Sequence, residues 1–191
     1  TSAGLFGTAF VAAAGLARKG EHIATFVIMG IAHGFQPFAS YNFGAQDKKR
    51  LMEGIRLSLL VSVIYGTVMF LLFFLIPGII MRLITSDQTL IEISAVVLRG
   101  YALGMPVLGV YQILAGCFQS MGKGKLSFFS SILRQGLIYC PMIYLLPRMF
   151  GEIGFACVQP LCDWISAIVV CLLAKTLMEE IRQMPDEKVE Q

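Results

Sequence analysis

From Leu57 to Met81 this sequence carries no charged residue, and four further stretches are long and largely apolar, the first with Arg18, Lys19, Glu21 and His22 in its outer third. A helix rising about 1.5 Å per residue needs roughly 20 apolar residues to cross a hydrocarbon core about 30 Å thick. Inside lipid each backbone N–H and C=O has to be satisfied within its own segment, so runs of this kind read as helices. Five segments reach the required length, at about 10–41, 57–81, 91–121, 126–147 and 153–176. The expected fold class is an all-α membrane protein, a polytopic bundle of about five transmembrane helices within residues 1–178, followed by a cytoplasmic, solvated tail at 179–191. Composition agrees, with 57% hydrophobic residues, only 14% charged ones and a mean hydropathy of +0.75. The net charge of +3 comes from Lys and Arg scattered at helix ends, without interleaved aromatics, which argues against a nucleic-acid partner. The lipid bilayer is the expected partner.

Orientation follows from the short loops. Lys48, Lys49, Arg50 and Arg56 follow the first span, Lys123 and Lys125 the third, and Lys175, Arg182 and Lys188 the fifth, whereas the alternate loops offer Arg82 and Arg148. The positive-inside rule then places the N-terminal end of the first span outside and the C-terminus in the cytoplasm. The opening TSAGLFGTAF lacks the basic n-region of a signal peptide, and the chain is expected to be a piece of a longer membrane protein. Its five cysteines lie in apolar spans without CxxC or a neighbouring His, and are read as small packing residues rather than metal ligands. No nucleophile–base pair, HExxH or complete phosphate-cradling loop is present, so no catalytic residue, metal or cofactor is expected.

Polar residues fall on helical stripes. In the first span His22, Thr25, Met29, His33, Gln36 and Ser40 advance by threes and fours, which puts them on one face expected to look into the protein. The third span carries Arg99, Pro106, Gly109, Gln112 and Gln119 in the same manner, and the fifth carries Gln159, Asp163 and Ser166. Pro37, Pro106, Pro141 and Pro160 lie inside spans and are expected to bend them. Arg134 and Asp163 form the sharpest constellation. Counted from Lys125 and Lys175, they lie at depths of roughly 14 and 18 Å on adjacent antiparallel helices. A single charge at that depth costs several kcal/mol, so they are expected to pair, either as a structural bridge or with Asp163 as a coupling residue.

Four pieces in order, GFQPFASYNFGA (34–45), GMPVLGVYQILAGCFQSMGKGK (104–125), LRQGLIYCPMIYLLP (133–147) and VQPLCDWISA (158–167), resemble the multidrug and toxic compound extrusion (MATE) transporters of the bacterial branch. The first is similar to that branch's G-x-QP-x-x-GYNYGA signature. The resemblance implies a twelve-helix protein of two lobes, of which this chain would supply helices eight to twelve of the C-terminal lobe, with the N-terminal lobe as its partner. It implies a multi-pass protein of the bacterial inner membrane that exports amphipathic, often cationic drugs by rocking-type alternating access, driven by H⁺ or Na⁺ as coupling ion and needing no cofactor. Gln36, Tyr41, Asn42, Arg134 and Asp163 match positions of the branch's motifs; with His33 and Gln112 from the polar stripes they make up the candidate site, Arg134 and Asp163 as ion pair or coupling residues and the others as cavity or substrate contacts. Some members bind the coupling cation through carboxylates on the seventh and tenth helices, and here the tenth-like span has Glu92 only at its outer edge. The alternative reading is a lipid-linked oligosaccharide flippase of related fold, for which more buried bases would be expected than Arg99 and Arg134.

Overall fold

A computed structural model describes residues 7–183, and these residues form helices joined by short turns. They are α1 (Thr8–Gly44), α2 (Lys48–Leu75), α3 (Pro77–Arg82), α4 (Gln88–Ala102), α5 (Met105–Ser120), α6 (Gly124–Ile132), a π-helical segment (Leu133–Ile138) and α7 (Tyr139–Gln183). α1, α2 and the run Gly124–Gln183 are each long and apolar enough to cross a membrane, and α4 with α5 qualifies when the two are taken as one span bent by 50°.

Local chemistry sets where these helices start, bend and stop. Asp47 caps α2 by accepting the N–H of Arg50 at 2.9 Å, and Asp87 caps α4 by accepting from Thr89 at 2.9 Å. The apolar run at 57–81 is not one helix: α2 ends at Leu75, and Pro77 starts α3 in the first-turn position where its missing N–H costs nothing. Pro106 likewise ends α4. Its ring cannot coexist with a continuous helix through Ala102, so the chain turns at Leu103–Gly104 and α5 begins. The break leaves the Leu103 carbonyl free, and Trp164 Nε1 donates to it at 3.0 Å. Upstream of Pro141 the helix widens to π geometry over Leu133–Ile138, an adjustment by which membrane helices accommodate a proline.

α7 is two limbs. Gly151 has φ 61 and ψ −138, a conformation open to glycine and strained for other residues, and there the chain reverses. In a straight helix Arg134 and Asp163 would stand about 43 Å apart at 1.5 Å per residue, yet their side chains meet at 2.8 Å. The sulfurs of Met142 and Cys162 also approach to 3.9 Å across the two limbs. The second limb continues to Gln183, five residues into the segment read from sequence as tail, because Leu177 and Ile181 are fully buried and Glu180 binds Lys123 at 2.8 Å. Residues 184–191 of that tail lie outside the described residues.

α5 sits at the centre, packed on α1, α2 and α7, while α4 packs on α1 and α7. Lipid tails are as apolar as leucine, so burial alone does not hold helices together in a membrane, and close backbone approach matters more. α1 supplies it through a buried row of Ala13, Ala17, Ala24, Ala32 and Ala39. One apolar cluster gathers Phe35, Leu51, Ile55, Leu114, Phe118, Val170 and Ile181; a second gathers Phe10, Ile28, Phe73, Ile91, Leu98 and Met105. Ser40 Oγ donates to the Ser120 carbonyl at 2.9 Å and Lys123 pairs with Glu180, so the ends of α1, α5 and α7 that border the basic loops meet at one end of the bundle.

Candidate functional site

Polar residues of α1, α5, α6, the π segment and α7 converge on a cavity of about 730 Å³. α1 contributes Arg18, Glu21, His22, Thr25 and Met29, α5 contributes Tyr111 and Gln112, and Arg134, Tyr139 and Gln159 close it from the π segment and α7. Its wall mixes charge with aromatic and thioether surface. That combination suits a guest with an apolar body and a polar or cationic head.

A continuous chain of polar contacts runs along this wall. Asp163, 2% exposed, takes both Nε and the terminal nitrogen of Arg134 on Oδ1 at 2.8 Å. Gln159 Nε2 donates to the same oxygen at 3.2 Å, and Gln159 Oε1 in turn accepts from Arg18 at 2.9 Å. The Arg18 guanidinium stands 5.7 Å from the centre of the Tyr101 ring, and that of Arg134 stands 4.9 Å over Tyr111. Gly104 makes room for the pair, because a Cβ there would lie 2.7 Å from Asp163 Oδ2 and 3.2 Å from the Pro160 backbone. The proline-induced break between α4 and α5 and the seating of Asp163 are thus one local solution.

Glu21 is the group this chain leaves unfinished. It is 4% exposed, and Oε1 accepts from Thr25 Oγ1 at 3.2 Å. Oε2 lies 3.7 Å from Arg18 Nε and 4.0 Å from His22 Nε2 and has no hydrogen bond, although it is buried. A buried carboxylate oxygen without a donor costs free energy that a bound proton or cation would recover. Glu21 stands against Arg18, and Asp163 against Arg134 from behind the wall, so each of these two bases has a carboxylate of its own.

Of the residues singled out from sequence, Gln112 and Arg134 line the cavity, and Asp163 lies behind Arg134 and Gln159. His33 is exposed and outside the cavity, Gln36 is half-buried over Gly116, and Tyr41 is 74% exposed. Asn42 is buried, but its amide donates to the Phe38 carbonyl at 2.8 Å within its own helix. The polar face of α1 therefore does not look into the protein along its whole length: the π segment and α7 wall that face over Arg18–Met29 and not beyond. Glu21, Arg18 and Gln159 were not among the candidates. The i, i+3 spacing of Arg18 and Glu21 within an apolar span was the available signal, since intramembrane charges that close together need each other or a ligand.

Comparison with known proteins accords with this architecture. The family model MatE matches residues 2–145. The multidrug export protein MepA of Staphylococcus aureus is 24% identical over 183 residues, covering 94% of this chain and 40% of that protein. MepA of Staphylococcus saprophyticus is 21% identical over 176 residues, covering 92% and 39%. Among solved structures, the Vibrio cholerae MATE transporter VcmN in its bent form superposes with a TM-score of 0.86 at 19% identity, over 95% of this chain and 41% of that one. The MATE multidrug transporter DinF-BH gives 0.76 at 28% identity, over 85% and 36%. This chain spans about 40% of the length of the curated relatives it matches. With three-quarters of its length inside the family model and its helices superposable on those transporters, the chain belongs to the MatE family, the multidrug and toxic compound extrusion proteins.

Proposed function

We propose that this chain is part of the C-terminal lobe of a cation-coupled exporter of amphipathic, cationic drugs in the bacterial inner membrane. The observation that carries the reading is the buried Glu21 carboxylate with its undonated Oε2, set in a cavity walled by Phe26, Met29, Tyr111 and Tyr139. A carboxylate of this kind holds either an organic cation or a coupling ion, H⁺ or Na⁺, and cannot hold both. Uptake of the ion therefore expels the drug, which is the exchange an antiporter needs. Rocking of this lobe against the N-terminal lobe would present the cavity alternately to the two sides. Gln112 and Arg134 are proposed cavity contacts, and Asp163 is proposed to hold Arg134 in place. Because Arg18 and Arg134 are each engaged by a carboxylate, the cavity offers no free base to the pyrophosphate of a lipid-linked oligosaccharide.

The test uses the full-length parent in a pump-deficient bacterium. Its expression should lower ethidium accumulation, and collapse of the ion gradient should abolish the effect. Glu21→Gln should remove most of the export while leaving the amount of folded protein unchanged. Unchanged accumulation across a panel of such cations would favour the flippase reading.

A further inference from the structure

A second groove, of about 650 Å³, runs between α2, α5 and the second limb of α7. Its floor is apolar, built from Leu59, Leu114 and Ala174, and its rim carries Arg56, Lys175 and Arg182 against the single acid Glu179. The three bases are exposed, and among the described residues none has a carboxylate within 4.0 Å. Arg56 lies eight residues into α2, about 12 Å from its start at 1.5 Å per residue, close to the basic end that holds Lys48 to Arg50. Beyond it the outer face of α2 exposes Leu57, Leu60, Ile64 and Val68 and no charge, a surface that hydrocarbon covers without cost. The groove therefore continues an uncharged apolar wall and ends in bases that have no carboxylate within 4.0 Å among the described residues. Inorganic phosphate would satisfy the rim and leave the floor uncovered; a zwitterionic lipid would cover the floor and gain little from the rim.

We infer that this groove binds an anionic phospholipid of the inner leaflet, its phosphate held by Arg56, Lys175 and Arg182 and an acyl chain lying over Leu59, Leu114 and Ala174. The leaflet rests on the orientation proposed above; the lipid class rests on the groove itself. Basic recesses between transmembrane helices on the cytoplasmic side suit such headgroups, and each base near the surface contributes attraction.

The experiment uses the full-length parent, delipidated in a neutral detergent and titrated with phosphatidylglycerol or phosphatidylcholine of identical chains, with bound lipid counted by native mass spectrometry. Phosphatidylglycerol should be retained on the order of 10-fold more strongly, as expected for a rim of several bases. The variant Arg56→Gln, Lys175→Gln, Arg182→Gln should bind the two lipids equally while melting at an unchanged temperature without added lipid. A single-cysteine parent retaining Cys171, which lines the groove, should react with a maleimide when delipidated and be protected by phosphatidylglycerol. Equal binding of both lipids by the native protein, selectivity surviving in the triple variant, or competition by glycerol phosphate would each overturn the site. An unreactive Cys171 in the delipidated parent would mean that another part of the protein covers the groove, and would overturn it as well. Ethidium export is scored separately, so a parent that exports normally and shows no lipid preference refutes the lipid site alone.

Discussion

The ion pair of Arg134 with Asp163 shows how a single residue is held by its surroundings in this protein. The two side chains meet at 2.8 Å, Gln159 adds a third donor to the same carboxylate, and Gly104 leaves the space in which it sits. Removing one member of a buried pair strands the other and costs roughly 3 to 5 kcal/mol. Arg134→Ala and Asp163→Ala should therefore each reduce the folded parent recovered in detergent, and the neutral pair Arg134→Gln with Asp163→Asn should restore much of it. Asp163→Asn that folds normally but uncouples export from the ion gradient would instead make Asp163 a coupling residue. Gly104→Ala should act as a weaker version of Asp163→Ala, because its methyl would displace the carboxylate from Arg134. That is checked by comparing thermal midpoints of the three variants in one detergent. Sequence spacing alone puts Arg134 and Asp163 at nearly one level, since depth along antiparallel helices is simple arithmetic. It gives no hint of Gly104, whose role depends on the approach of a third helix.

At the scale of elements, the breaks carry as much information as the helices. Pro77 and Pro106 each open a new helix rather than bending a continuous one, and Pro141 follows a widened π turn that carries Arg134. The reversal within α7 turns at Gly151, whose φ of 61 and ψ of −138 suit a residue without a side chain, and Gly154 lets the two limbs close at Leu146. Backbone strain of this kind costs about 1 to 3 kcal/mol, so Gly151→Ala should lower the thermal midpoint of the purified parent, and Gly151→Val should lower it further. An unaltered midpoint for both would mean that the turn tolerates another conformation. The sequence separates two apolar runs between 147 and 153, so the existence of a break there is legible, though not the residue that turns it. The π segment is not legible, because neither LRQGLI nor a following proline distinguishes a widened turn from a kink.

For the whole molecule, the basic loops supply the clearest expectation. Ser40 with Ser120 and Lys123 with Glu180 tie the ends of α1, α5 and α7 beside those loops, so the bases gather at one end of the bundle. In the parent, a cysteine placed at Asp47 should resist a membrane-impermeant maleimide added to whole cells and react once the cells are opened; labelling from outside would invert the orientation. Expressed by itself, this chain should leave ethidium accumulation unchanged, because one part of a lobe cannot enclose a cavity that opens to alternate sides. Lowered accumulation in cells producing only these residues would remove the need for a second lobe.

What the sequence by itself determined is what a membrane imposes one segment at a time. Uncharged length specifies helices, clustered Lys and Arg specify ends, and paired charges inside apolar runs demand partners. The tertiary structure decided which charges find which partners. It brought Arg18 from α1 to Gln159 on α7, joined that link to Arg134, and left the Oε2 of Glu21 without a donor at the edge of a cavity. It also divided one regular polar stripe on α1 into a walled part up to Met29 and an open part beginning at His33. The physical reason is that periodicity fixes the direction in which a side chain points, whereas what it meets depends on where other helices bend. Those bends, at Gly104, Gly151 and the turn before Pro141, answer to contacts between segments far apart in the chain.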